Sequence, residues 1–249
     1  MTYPLSMNDT IRTMRAHRSI RAFKDTLIPD EHIDEAMLAG QAAATSSAVQ
    51  AFCVIRIRDD DTRQKIADLA GPQQKVRDCP AFFVICADLR RHMLITERAG
   101  NEYTSSLEAF LVGSIDASLF AQNFVLAFES LGYGTCYIGG IRNDLPTVDK
   151  LLNLPQGVLP MYGLCVGLPD QAPSHRPRLS PQAVLFDDRY PDDADMLAGL
   201  DAYDETYKQY LTERGAPPAT WSESIAKKFS YANRPGLRAY YESKGVSLD

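Results

Sequence analysis

The sequence predicts a β-sheet covered by helices, of either the α/β or the α+β class. Short apolar runs rich in β-forming residues alternate with segments of helical periodicity along most of the chain. With 249 residues, of which 45% are hydrophobic, the chain can form one or two domains with a sizeable core. The four strand candidates are residues 52–55, 82–85, 136–138 and 161–166.

Helical spacing predicts the elements between these strands. Ile33, Ala36 and Gly40 recur on one face after Pro29, so an amphipathic helix is expected over residues 30–44. A second helix is expected to begin near Asn143, Asp144 and Pro146 and to end before residue 154.

The longest predicted helix covers residues 105–131. It is apolar on nearly every face, so it is expected to be buried in a core or in a dimer interface. Polar residues such as Asp116, Gln122 and Asn123 interrupt it, and the sequence therefore argues against a membrane-spanning helix.

A proline-rich segment after residue 168 introduces an extension with its own helical periodicity. Apolar and aromatic residues recur at helical spacing over residues 197–210, 221–231 and 238–241. This extension is predicted to wrap over the main domain or over a partner subunit rather than to form a separate core.

Composition excludes several classes of protein. The net charge of −6 argues against a general nucleic-acid or membrane-surface binder. The five cysteines are scattered and the four histidines lie far apart, so the sequence predicts buried reduced thiols and no metal site. No export signal is recognisable at the N-terminus, and a cytoplasmic location is the expectation.

Two basic clusters point to an anionic ligand. The first contains His17, Arg18, Ser19 and Arg21, and the second contains Arg176 and Arg178 on either side of a proline. Guanidinium groups bind phosphate bidentately, while a hydroxyl and an imidazole add hydrogen bonds. One phosphate pocket built from both clusters is the functional interpretation, and solvated surface charge is the alternative.

Three weaker motifs could contact the rest of such a ligand. Tyr137-Ile138-Gly139-Gly140 closes a strand, and its glycines would let a ligand approach main-chain amides or would simply form a tight turn. Gln73, in a predicted turn, offers an amide to a heterocycle edge. The hydroxyls of Thr45 and Ser46 either bind a ligand or cap backbone groups. Dinucleotide-binding and P-loop glycine motifs are absent from the sequence.

The ordered set of these motifs resembles the FMN-dependent nitroreductase superfamily. The set comprises His17 to Arg21, Gln73, Tyr137 to Gly140, the run Leu-Pro-x-x-Val-Leu-Pro-Met-Tyr-Gly-Leu-Cys-Val-Gly at residues 154–167, and Arg-Pro-Arg-Leu at residues 176–179. The resemblance covers nearly the whole chain, including Thr-Trp-Ser near residue 221 and Asn-Arg-Pro near residue 234. It is strongest to the branch of oxygen-insensitive NADPH nitroreductase A and flavin reductase P.

This resemblance implies an α+β fold with a central, mostly antiparallel sheet flanked by helices. It implies a homodimer whose subunits swap extensions, with one FMN at each end of the interface. Residues 1–168 would form the FMN-binding core, and residues 169–249 would form an extension that completes the flavin site and wraps the dimer.

The resemblance also assigns the binding residues. FMN phosphate and ribityl contacts would come from His17, Arg18, Ser19, Arg21, Arg176 and Arg178. The isoalloxazine would be lined, across the dimer interface, by Ala44, Thr45 and Ser46. Gln73 would bond the ring edge, and one ring face would be covered by Tyr137, Ile138, Gly139 and Gly140. No side chain is expected to be catalytic, because the chemistry takes place at flavin N5.

The implied activity is two-electron, ping-pong reduction of nitroaromatics, quinones or free flavins by NADPH or NADH. A flavin-binding, storage or sensor module without significant turnover is the alternative. Relatives carry an arginine pair before the Thr-Trp-Ser motif that this chain lacks, which leaves Arg214 and Arg234 as NADPH-binding candidates. Glu108 is a further candidate at the substrate pocket, and the small Ala48 would widen the acceptor site.

Overall fold

A computed structural model describes residues 8–247, which form two compact units. The first unit runs up to Pro173 and resumes at Gly236, and the second is Ser174–Pro235. The strands are β1 (Phe52–Arg56), β2 (Ala81–Asp88), β3 (Gly134–Ile138) and β4 (Val158–Gly167). The helices are α1 (Asp9–Ala16), α2 (Asp30–Gln41), α3 (Asp60–Leu69), α4 (Gln74–Asp78), α5 (Arg90–Arg98), α6 (Leu107–Ser130), α7 (Leu145–Leu152), α8 (Asp193–Glu213), α9 (Trp221–Phe229) and α10 (Leu237–Ser243).

The sheet of the first unit has the strand order β1-β2-β4-β3. Each neighbouring pair is antiparallel. All four strand predictions are therefore confirmed, and the antiparallel pairing selects the α+β class over the α/β class.

Helices cover both faces of this sheet. Every residue of β2 is buried, and its side chains alternate between two apolar clusters. Phe83 and Ile85 pack with residues of α2 and α6. Phe82 and Val84 pack on the opposite face with residues of α3, α4 and α7. Burial on both faces explains why residues 81–87 are continuously apolar, up to the buried Asp88 that ends the strand.

The long predicted helix is α6, and one of its faces lies in the core. Phe120, Phe124 and Phe128 are fully buried in the cluster shared with α2. A Cβ on Gly40 would lie 2.6 Å from the Phe120 ring, so glycine at that position lets α2 approach α6 closely. Helix α6 is long and apolar enough to cross a membrane, so its polar residues alone do not exclude a membrane-spanning helix. The face of α6 that carries its phenylalanines, however, packs inside the protein.

The opposite side of α6 lies outside the core of the single chain, and its burial in a dimer interface stays a prediction. In the single chain, an exposed stripe of apolar residues runs along it: Leu107, Leu111, Ile115 and Leu119. These residues recur every fourth position, so they share one face of the helix.

Other sequence predictions need correction. Helix α2 ends at Gln41 rather than near residue 44. The predicted turn that carries Gln73 is partly helical, because Gln74 begins α4. The polar helices α3 and α5 were not predicted; most residues of α5 are charged or polar, and none of them is buried.

The second unit contains α8 and α9, as the helical spacing predicts. Tyr203 of α8 packs edge-on against Trp221 of α9, with ring centroids 5.7 Å apart. The backbone N–H of Ser222 donates to buried Asp204 at 2.9 Å. Helix α10 belongs to the first unit, where Tyr240 and Tyr241 join a third apolar cluster.

Candidate functional site

The basic segment after α1 runs beside β3. The N–H of Ile20 donates to the carbonyl of Thr135 at 2.9 Å. Ile20 is buried against Gly134, where a Cβ would lie only 2.4 Å from its Cγ1 atom. Because side chains alternate along extended backbone, burial of Ile20 turns Ser19 and Arg21 to the other side, and Arg21 is exposed.

His17 and Arg18 are oriented by polar contacts. Nδ1 of His17 lies 2.7 Å from Oε1 of Glu129, which also accepts from the Thr135 hydroxyl at 3.0 Å. A carboxylate only accepts, so Nδ1 donates and Nε2 is the ring nitrogen left for a further partner. Arg18 donates from Nη1 to the carbonyl of Pro173 at 3.2 Å.

These two residues line a cavity of about 480 Å³, which we call the basic cavity. Arg12, Glu129 and Tyr133 also line it. The two arginines and the imidazole give the cavity the chemistry of an anion site. Among the residues described, Ser19 and Arg21 do not belong to its lining, so the structure brings together only His17 and Arg18 of the four predicted here.

Gln73 and Gly140, distant in sequence, are neighbours in the fold. A Cβ on Gly140 would lie 2.4 Å from the carbonyl oxygen of Ala70 and 2.6 Å from Nε2 of Gln73. Gln73 uses Nε2 to donate to the same Ala70 oxygen at 2.6 Å. Glycine at position 140 is thus required by packing. The role of both residues at a flavin stays a prediction.

Tyr137 and Gly139 line a second cavity of about 350 Å³, which we call the tyrosine cavity. The Tyr137 ring packs edge-on against Tyr162 at a centroid distance of 5.2 Å. Burial raises the pKa of Tyr162, whose hydroxyl lies 3.1 Å from Oγ of Ser118. Ile138, the last residue of β3, is buried below this surface.

Four lining residues of the tyrosine cavity were not predicted as site residues from the sequence: Ser118, Gln122, Arg142 and Tyr162. Arg142 donates from Nη1 to the carbonyl of Met161 at 2.5 Å. Its Nη2 would lie 3.1 Å from a Cβ on Gly139. The position of Arg142, shortly after the glycine pair, is the sequence signal that could have identified it.

The predicted ring-lining residues Ala44, Thr45 and Ser46 follow α2. Ala44 and Ser46 are exposed and Thr45 is half-buried. Thr45 precedes the helical turn Ser46–Ala48 without a side-chain capping bond. The N–H of Ser46 donates to Asp116 at 3.0 Å.

Arg176 and Arg178 lie in the second unit. Arg178 donates from Nη1 to the carbonyl oxygen of Arg176 at 2.9 Å. Arg214 donates from Nη1 to the hydroxyl of Tyr210 at 2.7 Å, and the guanidinium of Arg176 also acts on this phenol. Burial opposes ionisation of Tyr210, but the two guanidinium groups outweigh it and lower the pKa of the phenol. A single phosphate pocket shared with His17 and Arg18 stays a prediction.

The tentative nucleotide and substrate residues have other local roles. Arg214 also stacks over the Tyr210 ring, with its Cζ 5.3 Å from the ring centroid. Arg234 is half-buried and has a left-handed backbone, with φ of 56°. Glu108 is exposed in the first turn of α6, where the helix dipole stabilises a carboxylate. Across residues 8–247, no group of three or more His, Cys, Asp or Glu side chains is arranged to hold a metal ion.

The fold is of the α+β class, with an antiparallel sheet. Its candidate site residues line a basic cavity and a second cavity that contains Tyr137, Gly139 and Tyr162. The sequence profile of the Nitroreductase family matches residues 14–168, and that of the Nitroreductase family C-terminal domain matches residues 176–249. The chain therefore belongs to the nitroreductase family, as the sequence motifs predict.

Three relatives identify the branch. The chain is 42% identical over 247 residues to FMN reductase (NADPH) of Bacillus subtilis (strain 168), covering 97% of this chain and 99% of the relative. It is 37% identical over 242 residues to the oxygen-insensitive NADPH nitroreductase of Salmonella typhimurium, covering 96% and 98%. The structure of NfrA1 nitroreductase from B. subtilis superposes with a TM-score of 0.93 at 40% identity, covering 97% and 100%. The predicted NADPH nitroreductase and flavin reductase branch is confirmed.

Proposed function

We propose that this protein is an FMN-dependent oxidoreductase that uses NADPH or NADH to reduce free flavins, nitroaromatics or quinones. The observation that carries the proposal is the proximity of Gln73 and Gly140, two flavin-contacting positions predicted from distant parts of the sequence. Relatives that match nearly the whole chain are named as an NADPH-dependent FMN reductase and as an NADPH nitroreductase.

The donor set of the first unit fits FMN. The basic cavity offers His17 and Arg18 to a phosphate dianion. Gln73 offers its amide to the polar edge of a heterocycle. The tyrosine cavity supplies an aromatic surface beside a glycine turn, which suits a flat ring. Arg21, Arg176 and Arg178 complete the phosphate and ribityl contacts in this proposal.

When bound, FMN supplies two-electron exchange between a hydride donor and an acceptor. The chain's own residues bind and orient it. Arg18 would offset phosphate charge, His17 would offer Nε2 to a phosphate oxygen, Gln73 would bond the ring edge, and the backbone at Gly139 and Gly140 would cover one ring face. These residues would leave the other ring face accessible to a donor and then to an acceptor, and no side chain would be catalytic. Preorganised N–H and guanidinium donors stabilise negative charge that develops on the ring.

We further propose a cytoplasmic homodimer. The exposed stripe on α6 supports the homodimer, because Leu111, Ile115 and Leu119 form an unusually apolar surface for one helix face. In that dimer, Ala44, Thr45 and Ser46 would line the ring bound across the interface. Small aromatic acceptors suit the tyrosine cavity. The net charge of −6 disfavours nucleic acid as a partner.

The proposal is tested by FMN binding and turnover with the purified protein. Tight FMN binding with rapid oxidation of NADPH or NADH in the presence of a quinone or nitroaromatic is the expected result. FMN binding with neither nucleotide oxidised would support the alternative, a flavin-binding or sensor module. No FMN binding would contradict both functions.

A further inference from the structure

A buried carboxylate, Asp116, holds the loop that joins α2 to β1. Asp116 lies on α6 with no measurable exposure. Its Oδ1 accepts from the N–H of Ser46 and its Oδ2 accepts from the N–H of Ala51, both at 3.0 Å. No described residue forms an ion pair with Asp116 within 4.0 Å. Both of its oxygens therefore serve the backbone of one loop.

The two bonds bracket a strained segment. Ser47, Ala48 and Gln50 have left-handed φ values of 46°, 59° and 51°, although none is a glycine. Such residues persist only where their surroundings fix them. Both oxygens of Asp116 are committed to the ends of the segment, and Nε2 of His92 lies 2.8 Å from the carbonyl of Val49 in its middle.

Only two residues of the loop, Val49 and Ala51, pack in the third apolar cluster. Ser46, Ser47, Ala48 and Gln50 are all exposed. Packing of Val49 and Ala51 fixes the end of the loop, but residues 46–48 bury no apolar side chain, so hydrogen bonds hold their strained shape. A rigid loop that exposes its side chains has the form of a ligand-contacting surface.

The packing of α6 brings Asp116 within reach of the loop. Gly113 lies one turn earlier on the same face, and a Cβ there would lie 3.1 Å from Cβ of Ala87 and 3.7 Å from the carbonyl oxygen of Ala51. This small residue lets the helix approach the start of β1. The carboxylate can then reach both amides.

We propose that Asp116 is a positioning residue that sets the shape of the flavin-lining loop, residues 45–51. This inference rests on the proposed function, in which Thr45 and Ser46 line the isoalloxazine ring. Asp116 contacts no ligand itself. It fixes the backbone from which the ring contacts project, so its loss weakens FMN binding beyond any effect on global stability.

The first test compares Asp116→Asn with Val125→Ala. The amide of the Asn variant can accept from only one of the two N–H groups, and its NH₂ group opposes the other. Val125 is fully buried on the same helix but packs in the phenylalanine cluster, so Val125→Ala controls for loss of stability. FMN affinity is measured by flavin fluorescence, the ring environment by visible circular dichroism, and the dimer by light scattering.

The expected result is FMN binding weakened about 10- to 100-fold by Asp116→Asn, with an altered dichroism spectrum, and changed less than about twofold by Val125→Ala. Amide hydrogen exchange of Ser46 and Ala51 in the FMN-free protein is expected to accelerate in Asp116→Asn alone. Equal FMN affinity and equal exchange in the two variants would overturn the inference. If the wild-type protein fails to bind FMN, the proposed function fails, while the exchange comparison still tests the loop.

If Asp116→Asn does not fold, a second pair of variants tests the hydrogen bond between Asp116 and the N–H of Ser46 by changing the donor residue. Ser46→Pro removes the N–H that Asp116 binds, and Ser46→Ala keeps it while removing the same hydroxyl. Proline suits the first residue of a helical turn, and the ψ of 150° at Thr45 is compatible with a following proline. Weaker FMN binding by Ser46→Pro than by Ser46→Ala supports the inference, and equal binding contradicts it.

Discussion

The buried ion pair between Lys244 and Asp149 is predicted to fasten the C-terminal helix to the first unit. Nζ of Lys244 lies 2.6 Å from Oδ2 of Asp149 and donates to the carbonyl of Leu154 at 2.8 Å. The two charged side chains are only 8% and 19% exposed. Lys244→Met keeps the apolar stem but leaves Asp149 with the Tyr240 hydroxyl, which donates to it at 2.8 Å.

Removing one partner of a buried pair costs about 3–5 kcal/mol, because the other charge remains in a poor solvent. Since Asp149 keeps some exposure and one hydrogen bond, we expect the lower end, about 3 kcal/mol, in the free energy of unfolding. Urea unfolding followed by circular dichroism measures it. Lys65→Met, which breaks the exposed pair with Asp61, is the matched control and is expected to change stability little. If both variants lose the same small amount, the buried pair does not anchor α10.

Three further predictions concern the site and the dimer. Gly140→Ala places a Cβ against the Ala70 backbone and is expected to cost about 1–3 kcal/mol of stability and to weaken FMN binding; Gly236→Ala, with open space around it, is the control in urea unfolding. Arg21→Ala is expected to weaken FMN binding about 10- to 100-fold by leaving phosphate charge unmatched, and FMN retained fully through gel filtration would contradict that role. Ile115→Asp, at a residue 54% exposed, is expected to convert the dimer to monomer in light scattering, and an unchanged mass would exclude the α6 stripe as the interface.

Strands were predictable from the sequence because local composition determines them here. Residues 81–87 of β2 are apolar at every position, and the strand is buried on both faces. The phenylalanines of α6 likewise indicate a core helix. Helix α5 was missed for the opposite reason: most of its residues are charged or polar, and none of them is buried.

The candidate site was predictable only in part. Family motifs identified Gln73 and Gly140, but only the fold shows that they touch. Asp116 is apparent in the sequence merely as a charge inside an apolar helix. Its two partners are backbone amides far earlier in the chain, and no side-chain pattern encodes them. Tyr162 was hidden in the same way, because its strand is an ordinary apolar run.

The most direct test of the proposed function is an anaerobic stopped-flow experiment on the FMN-loaded protein, followed at the flavin absorbance band. The protein is mixed separately with NADPH and NADH, and then with a quinone or a nitroaromatic. We predict that at least one nucleotide bleaches the flavin rapidly in the absence of an acceptor. We also predict that the acceptor restores the absorbance after the nucleotide has been consumed. Flavin absorbance that neither nucleotide changes would contradict the assignment as an oxidoreductase.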